Sequence, residues 1–185
     1  MSELLQDALA YAVDAHENQD RKGKSLPYAA HPVGVGTTLH RYGFGDEIVA
    51  AGFLHDTVED TDVTLDDIEQ RFGTEIAGLV EGASEHDKDA PWEERKRHTI
   101  QYLSDAPRDV AVVTCADKLD NVKALRHEYR DEGDELWERF ERPYEKQEWY
   151  YTSVTDRLDE LFDDGPERLL YQELRNEVDA LFGGE

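Results

Sequence analysis

The sequence has a single cysteine and no long hydrophobic run. Cys115 lies in the apolar segment 110–116, so no intrachain disulfide can form, which fits a buried thiol and a reducing cytoplasm. No stretch is long or apolar enough to span a membrane. The first residues lack the basic start and apolar middle of a signal peptide. These absences predict a cytoplasmic protein that has no membrane partner.

Positive charge is scarce as well. The 185 residues include 20 Lys and Arg against 44 Asp and Glu, which gives a formal net charge of −24 and a pI of about 4.5. Such a surface repels nucleic acid, so DNA and RNA are not expected as partners. The acid excess runs through the whole chain, and Lys is scarcer than Arg. This pattern suggests a halophile-like protein from a salt-rich cytoplasm.

The sequence also shows no convincing strand, no internal repeat and no low-complexity linker. Apolar residues recur at helical spacing over residues 3–17 and again in most later segments. Residues 64–67 predict a capping box that opens a short helix to Phe72. A chain of 185 residues suits one domain with a substantial core. We therefore predict an all-α fold, with a single compact helical bundle over residues 1–165. A C-terminal helix over 166–185 is expected to pack on this domain or extend from it. The oligomeric state stays open, and a homo-oligomer is compatible with the sequence.

Three predictions about helices bear directly on the candidate site. One helix is predicted over residues 46–58, capped by its first residue. Residues 135–162 are predicted to form one long helix with a kink at Pro143. Gly34 and Gly36 lie in the next predicted helix after the first loop, and the sequence leaves open whether they permit close packing or break that helix.

Four side chains that bind metals or move protons follow the apolar run 48–54 almost at once: His55, Asp56, Glu59 and Asp60. Charged groups at the end of a buried helix need partners, because their desolvation is costly. On a helix, His55 and Asp56 lie about 100° apart and both reach one ion, while Glu59 and Asp60 lie one turn further on. This layout predicts two metal ligands and two carboxylates that handle water at the metal. An ordinary acidic helix end is the alternative interpretation.

Further candidate ligands decide between these interpretations. His31 lies at the start of a predicted helix, and Asp117 interrupts the apolar front half of another. An acid in such a run should be paired or bound to a metal. Together with His55 and Asp56 they provide two imidazoles and two carboxylates, which suit Mn, Fe, Zn or Mg, the borderline metals being preferred. The lack of cysteine ligands argues against a structural zinc site.

Basic residues are few, so their positions are informative. The loop 18–27 carries a basic cluster that includes Arg21 and Lys22. We interpret this cluster as an anion site because the candidate metal ligands are near it; solvated loop charge is the alternative. The basic run 95–97 is interpreted as a solvated helix face. His16 is interpreted as a residue that orients a metal ligand.

The order H…HD…D, formed by His31, His55-Asp56 and Asp117, resembles the HD-domain phosphohydrolase superfamily. Over about residues 8–155, the chain resembles in particular the hydrolase domain of RelA/SpoT proteins. It looks closest to the stand-alone form of that domain, the small alarmone hydrolases similar to metazoan SpoT homologues. The Glu-Asp pair and the Arg-Lys loop are specific to this branch. The segments that carry the resemblance are Arg21-Lys22, PYAAHP at 27–32, LHDTVEDT at 54–61, Phe72-Gly73 and ADKLDN at 116–121.

The resemblance implies an all-α HD-domain bundle and a Mn²⁺-dependent enzyme of the stringent response. Such an enzyme removes the 3′-pyrophosphate from (p)ppGpp, which yields GDP or GTP and pyrophosphate. The implied roles are as follows: His31, His55, Asp56 and Asp117 bind the metal, Glu59 and Asp60 position and deprotonate the attacking water, Arg21 and Lys22 flank the guanine and phosphates, and Asn121 contacts the nucleotide sugar.

Two departures from the family pattern leave the substrate open. Ser25 replaces a frequent Gly before the Pro, and Trp92 stands near a position where relatives place a basic phosphate contact. Lys88, Arg95 or Lys96 are candidate replacements for that contact.

Two alternatives for the function follow. An HD phosphohydrolase with the same site would act on another nucleotide, such as NADPH or a deoxynucleotide. A module of another class would bind alarmone without cutting it. The pair Glu59 and Asp60 argues against such a module, because a binding protein needs no water-handling carboxylates.

Overall fold

The computed structural model describes residues 1–21, 26–85, 88–140 and 142–183. Within these ranges the chain is built of helices, with one isolated bridge of extended backbone between Asp20 and Pro27. The prediction of an all-α fold is confirmed. No helix in these ranges is long and apolar enough to cross a membrane. The helices are α1 (Glu3–Ala15), α2 (Ala30–Tyr42), α3 (Asp46–Leu54), α4 (Thr57–Asp60), α5 (Leu65–Phe72), α6 (Thr74–Ala83), α7 (Trp92–Tyr102), α8 (Arg108–Glu132), α9 (Tyr144–Leu161) and α10 (Gly165–Phe182), and a 3-10 helix (Gly133–Arg139) lies between α8 and α9.

Helix α8 is the central element of the bundle. Its segment 110–116 carries mostly apolar side chains on every face and is buried throughout. Helices α2, α3, α6 and α10 pack against α8. Helix α3 is buried from Val49 to Leu54 and also contacts α1, α2 and α6. The residues that follow α3 therefore face the buried half of α8.

Two glycines allow α2 to approach its neighbours closely, which resolves the alternative that the sequence left open. Helix α2 continues through both of them. A Cβ atom on Gly36 would lie 2.3 Å from the ring of Phe53 in α3, and one on Gly34 would lie 2.3 Å from Asp120 Oδ1 in α8. Only glycine permits contacts this close. The helix that begins near His31 is thereby held against the two helices that carry the other candidate ligands.

The helix predicted over residues 46–58 is interrupted, so that prediction is wrong in its length. Helix α3 ends at Leu54, and a two-residue turn precedes α4. His55 Nδ1 donates to the Gly52 carbonyl at 2.9 Å, and Thr57 Oγ1 donates to the Leu54 carbonyl at 2.7 Å. These side chains satisfy carbonyl groups at the end of α3 that have no further helical partner. The break turns the ligand-bearing residues toward α8.

The predicted N-cap is wrong for α3 and correct for α5. Gly45, not Asp46, occupies the N-cap position of α3, and Asp46 lies in the first turn without a capping bond. A carboxylate there still interacts favourably with the helix dipole. The predicted capping box of α5 is confirmed, because Thr64 Oγ1 accepts from the Asp67 backbone N–H at 3.2 Å and Asp67 Oδ2 accepts from the Thr64 N–H at 2.9 Å.

The long helix predicted over residues 135–162 is wrong, because two separate elements cover this range. The 3-10 helix ends at Arg139, and α9 begins directly after Pro143. Proline has no N–H to donate and restricts the residue before it, so it starts a new helix here instead of kinking one. The buried Trp137 ring fixes the 3-10 helix, since it packs 5.2 Å from the ring of Tyr144 and 5.8 Å from that of Phe182.

Helix α10 packs along α8 and also contacts α9 and α2. Its buried face carries Leu170, Leu174 and Val178 at helical spacing. Beside this face, Glu173 forms an ion pair with Lys123 of α8. The C-terminal helix therefore lies on the face of the bundle formed by α8 and α9.

Candidate metal centre and active site

Three separate elements bring the predicted ligand side chains together. His31 lies at the start of α2, His55 and Asp56 form the turn after α3, and Asp117 lies in α8. All four side chains are buried. Ligand atoms of His31, His55 and Asp117 lie within 4.8 Å of one another. Asp56 Oδ1 lies 3.1 Å from His55 Nε2, and its Oδ2 lies 3.4 Å from His31 Nε2. The four residues thus form one buried cluster.

His55 directs a lone pair at this cluster. Its Nδ1 donates to the Gly52 carbonyl at 2.9 Å, which assigns the proton to Nδ1. Its Nε2 is buried and has no hydrogen-bond partner among the described residues. Two carboxylate oxygens lie near it, Asp56 Oδ1 at 3.1 Å and Asp117 Oδ1 at 3.9 Å. A buried lone pair that faces carboxylate oxygens is unfavourable unless a cation lies between them. The orphaned Nε2 therefore fits a metal ligand.

His31 is oriented by a carboxylate on the other side of its ring. Its Nδ1 lies 2.7 Å from Asp120 Oδ2, and its Nε2 lies 3.2 Å from Asp117 Oδ1. Burial by itself lowers the pKa of His31, but the hydrogen bonds with Asp117 and Asp120 outweigh it and raise this pKa to about 9. The surrounding carboxylates therefore favour a positive charge at this position. A carboxylate behind an imidazole is the usual arrangement for orienting a metal-binding histidine.

Asp117 is held by two neighbours in α8. Its Oδ2 accepts from Lys118 Nζ at 2.5 Å, and its Oδ1 accepts from Asn121 Nδ2 at 2.6 Å. Burial alone would raise the pKa of Asp117, but Lys118 and the two histidines hold this pKa well below its usual range. Asp117 therefore remains a carboxylate in the interior, and Oδ1 is the oxygen that faces both imidazoles.

The chemistry of these donors fits a divalent cation. Imidazole nitrogens of His31 and His55 lie close to an oxygen of Asp117, the Asp56 carboxylate lies next to both imidazoles, and no described residue forms a hydrogen bond with His55 Nε2. Mixed nitrogen and oxygen donors suit borderline metals such as Mn, Fe and Zn. The arrangement therefore supports the metal site that the sequence predicts.

The carboxylates of α4 lie beside the cluster and line the same cavity. Glu59 Oε2 accepts from the Glu85 backbone N–H at 3.0 Å, and Asp60 Oδ1 accepts from Lys88 Nζ at 2.5 Å. Burial raises the pKa of Glu59 above its usual range, the Glu85 N–H partly offsets this, and the charges of Asp56 and Asp60 add to it. A carboxylate with a raised pKa is a better proton acceptor near neutral pH.

Tyr28 connects the cluster to this pair of carboxylates. Its hydroxyl group lies 2.6 Å from Asp56 Oδ2 and 3.0 Å from Asp60 Oδ2. His16, which the sequence suggested would orient a ligand, packs against the Tyr28 ring at 4.8 Å and bonds to Gln19 at 2.8 Å. His16 thus contacts Tyr28, whose hydroxyl group forms a hydrogen bond with Asp56.

A cavity of about 880 Å³ opens above these side chains. This volume is in the range of sites that hold a nucleotide-sized ligand. Arg21 and Asn121 line it, and Arg21 Nη2 lies 3.3 Å from both Asp120 Oδ2 and Asn121 Oδ1. Lys22 lies outside the residues that the structure describes. The two described residues predicted to bind substrate thus share the cavity with the candidate metal ligands.

The interpretation of residues 95–97 as a solvated face is wrong for two of them. All three residues line the cavity, but only Arg97 is exposed; Arg95 and Lys96 are partly buried and pair with Glu85. Lys96 Nζ also lies 5.0 Å from the centre of the Tyr150 ring, so this part of α7 packs against α9. Helix α7 has no fully buried residue among its described positions, which is why its apolar pattern indicated no inward face.

Sequence reasoning missed further residues of the site. Tyr28 and Lys118 lie inside the segments that carry the family resemblance, so their position next to predicted ligands was an available signal. Glu85 had no such signal, because it is one of 44 acidic residues in the chain.

Comparisons with known proteins agree with this geometry. The family model described as "HD domain" matches residues 8–142, a range that contains every predicted site residue. The guanosine-3′,5′-bis(diphosphate) 3′-pyrophosphohydrolase MESH1 of Homo sapiens is 41% identical over 124 residues, which are 65% of this chain and 69% of that protein. The protein of the same name from Danio rerio is 36% identical over 125 residues, which are 66% of this chain and 69% of that protein.

Solved structures show the same similarity in three dimensions. A crystal structure of a Listeria monocytogenes EGD-e protein has a TM-score of 0.76 at 34% identity, and the match covers 89% of this chain and 100% of that one. The structure described as "A metazoan ortholog of SpoT hydrolyzes ppGpp and plays a role in starvation responses" has a TM-score of 0.77 at 28% identity, covering 97% of this chain and 95% of that one. With its H…HD…D residues gathered around one buried point, the chain belongs to the HD-domain family.

Proposed function

We propose that this protein removes the 3′-pyrophosphate from guanosine alarmones, (p)ppGpp, and releases GDP or GTP and pyrophosphate. The observation that carries the proposal is the orphaned His55 Nε2 at a buried cluster, with Glu59 and Asp60 next to it in one cavity. The two MESH1 relatives named above, which bear the name of this activity, support the choice of substrate.

The proposed metal is Mn²⁺, held by His31, His55, Asp56 and Asp117. When bound, a divalent cation supplies a Lewis acid that acidifies water and neutralises phosphoryl oxygens. The donor set supports this choice but admits other borderline metals.

The protein's own residues would then move the proton and hold the substrate. Glu59 and Asp60 orient the attacking water and accept its proton, and the Tyr28 hydroxyl and Lys88 keep Asp60 in place. Water adds to the phosphorus next to the 3′ oxygen, the bond between these two atoms breaks, and the 3′ oxygen takes up a proton.

Substrate contacts are proposed for Arg21, Lys22 and Asn121. Arg21 lines the cavity and donates a hydrogen bond to Asn121, which lines it as well. A basic group in a chain of net charge −24 offsets the repulsion of a highly charged nucleotide. The proposed setting is the stringent response in the cytoplasm.

The test is pyrophosphate release from ppGpp in high-salt buffer, with and without Mn²⁺, by the wild type and by Asp60→Asn. Loss of a general base should lower kcat by roughly 10²- to 10⁴-fold. Asp62→Asn is the matched control, because Asp62 is an exposed carboxylate two residues further on. Its kcat should stay within about twofold of the wild type, since exposed substitutions rarely disturb a fold.

The outcomes separate the candidate functions. Turnover that needs Mn²⁺ and falls only in Asp60→Asn supports alarmone hydrolysis. A folded, metal-loaded protein that turns over NADPH or a deoxynucleotide, but not ppGpp, would show that the site is right and the substrate is wrong. Tight binding of ppGpp without turnover of any nucleotide would point to a binding module instead.

A further inference from the structure

Asp120 connects the candidate metal cluster to the substrate side of the cavity. It lies in α8, one turn after the candidate ligand Asp117. Its Oδ2 lies 2.7 Å from His31 Nδ1, the ring nitrogen that does not face the other candidate ligands. The same Oδ2 accepts from Arg21 Nη2 at 3.3 Å. One carboxylate oxygen therefore contacts both a candidate metal ligand and a proposed substrate-binding residue.

The Asp120 carboxylate is held in place from several sides. Its other oxygen, Oδ1, packs against α2, where a Cβ atom on Gly34 would lie only 2.3 Å from it. Arg21 is also fixed, because its Nη2 lies 3.3 Å from Asn121 Oδ1 and its side chain is only 18% exposed. Arg21 and His31 thus share an oxygen that has little room to move, so a change at one contact acts on the other.

Sharing one oxygen sets the sign of this effect. A carboxylate behind a metal-binding imidazole orients the ring and makes it a better ligand. The positive charge of Arg21 offsets part of the negative charge that Asp120 Oδ2 offers to His31. An anion that draws Arg21 away leaves this oxygen to His31 alone. Release of Arg21 should therefore strengthen metal binding through His31.

We propose that Asp120 is a positioning residue that couples Arg21 to His31, so that a nucleotide engaging Arg21 tightens the binding of the metal. The inference rests on the proposed function for both the metal and the nucleotide. Coupling between two sites is reciprocal, so the bound metal also tightens the nucleotide by the same factor. The link favours the state in which both are present, which is the state that the proposed reaction needs.

The first test is a double-mutant cycle on the Kd of Mn²⁺, measured by calorimetry without nucleotide. Asp120→Asn should weaken Mn²⁺ binding by roughly 10- to 100-fold, because it removes the charge behind His31. Arg21→Gln should tighten Mn²⁺ binding by about fivefold, because it leaves Asp120 to His31 alone. In the Asp120→Asn background, Arg21→Gln should change the Kd by less than about twofold.

The cycle separates a link through Asp120 from simple charge repulsion. The Arg21 guanidinium and a divalent cation also repel each other through space, and this repulsion is the same in both backgrounds. An equal gain from Arg21→Gln in the two backgrounds would therefore overturn the coupling. Unchanged Mn²⁺ affinity in Asp120→Asn would overturn it as well.

GDP, a product of the proposed reaction, tests the nucleotide side of the link. Its Kd is measured with and without saturating Mn²⁺ at fixed ionic strength. Mn²⁺ should tighten GDP by about fivefold more in the wild type than in Asp120→Asn. Chelation of Mn²⁺ by free GDP is the same for both proteins, so it cancels in this comparison. An equal factor in the two proteins would contradict a link through Asp120.

Gly34→Ala disturbs the same contact without removing a charge. Its Cβ atom would displace the Asp120 carboxylate, so Mn²⁺ should bind more weakly and Arg21→Gln should no longer tighten it. Gly78→Ala is the matched control, because a Cβ atom there meets nothing within 4 Å, and its Kd for Mn²⁺ should equal that of the wild type. Thermal unfolding shows whether each variant is folded. If Asp120→Asn does not fold, Gly34→Ala takes its place in the cycle.

Failure of the coupling is distinguishable from failure of the proposed function. A folded wild type that binds no Mn²⁺ would overturn the proposed metal centre and the coupling together. Mn²⁺ binding and ppGpp turnover, with no difference between the two backgrounds of the cycle, would overturn the coupling alone.

Discussion

At the scale of single residues, the protonation state of each buried group decides what the candidate site is able to do. His55 holds its proton on Nδ1 and leaves Nε2 free, because the carbonyl of Gly52 accepts only from a donor. Lys118 and Asn121 each occupy one oxygen of Asp117. These hydrogen bonds orient the ligand atoms before any cation arrives, which is how neighbouring groups tune a metal site.

Glu59 should impose an acid limit on activity. Its pKa is raised chiefly by burial, so the carboxylate needed to accept a proton is lost at a higher pH than for an exposed glutamate, whose ordinary pKa is 4.5. We expect kcat/KM for ppGpp to fall as the pH drops, with its midpoint clearly above 4.5. Glu59→Gln should lower kcat by roughly 10²- to 10⁴-fold and remove this limb from the pH profile. A wild-type midpoint at or below the ordinary value would contradict the assigned role.

The stability of Glu59→Gln provides a control, because we expect its stability to rise while its activity falls. Because the pKa of Glu59 is higher in the folded than in the unfolded protein, its ionisation destabilises the fold at neutral pH. This cost disappears as the pH falls through the folded pKa. Glu59→Gln should therefore raise the thermal unfolding temperature of the metal-free protein at pH 7, and the gain should shrink toward acid pH. A catalytic loss accompanied by lower stability at pH 7 would indicate a damaged fold instead.

At the scale of secondary-structure elements, the site depends on how closely α2 lies against α3 and α8. Each of the three helices, or the turn after it, supplies at least one candidate ligand. Gly36 and Gly52 lie at the contact between α2 and α3, where a Cβ atom on Gly52 would meet Leu39 at 2.4 Å. The spacing of these helices is therefore set by residues that carry no side chain.

Gly36→Ala should destabilise the protein. Its Cβ atom would lie 2.3 Å from the Phe53 ring, which is only 1% exposed and has no free space to move into. Overpacking of this kind costs about 1–3 kcal/mol of the free energy of unfolding. Chemical denaturation of the variant measures this loss, and we expect lower metal affinity with it because α2 carries His31.

Gly78→Ala is the matched control in another helix. A Cβ atom there would meet nothing within 4 Å, so the substitution should be neutral or stabilise α6 by about 0.5–1 kcal/mol. Equal stability effects at the two glycines would show that helix propensity, not the contact between α2 and α3, determines the outcome at Gly36.

At the scale of the whole molecule, charge is the dominant feature. The net charge of −24 is spread over one compact bundle, and the surface carries many ion pairs, such as Arg71 with Asp7 and Arg108 with Glu167. Exposed pairs of this kind contribute little individually. Repulsion among the remaining carboxylates therefore opposes folding in dilute buffer.

The free energy of unfolding should rise as KCl is added from about 0.1 M to about 1 M, over which the screening length falls from about 10 Å to about 3 Å. Urea denaturation at each salt concentration measures this. Sucrose at equal osmolality is the control, since it acts by exclusion from the surface without screening charge. Full stability in dilute buffer, with no gain from KCl, would refute the halophile-like interpretation.

Local sequence was sufficient for much of the fold. Helical periodicity identified the all-α class, and the Thr64 capping box marked the start of α5 correctly. Helical periodicity predicted the wrong boundaries where side chains or a proline end a helix. The break after Leu54 depends on the His55 and Thr57 side chains, and the start of α9 depends on Pro143. Such endings are decided by competition for the same carbonyl and N–H groups, which residue spacing does not reveal.

The sequence by itself determined which residues have metal-binding chemistry, because a histidine or an acid in a buried run must find a partner. Only the tertiary structure decided how their atoms meet: His55 Nε2 has no hydrogen-bond partner in the described part of the chain, and the Tyr28 hydroxyl links Asp56 to Asp60. It also decided that Arg95 and Lys96 face the cavity, a result of how α7 packs on α9. Residue type and spacing set what a side chain can bind, but its neighbours from distant parts of the chain set where it points.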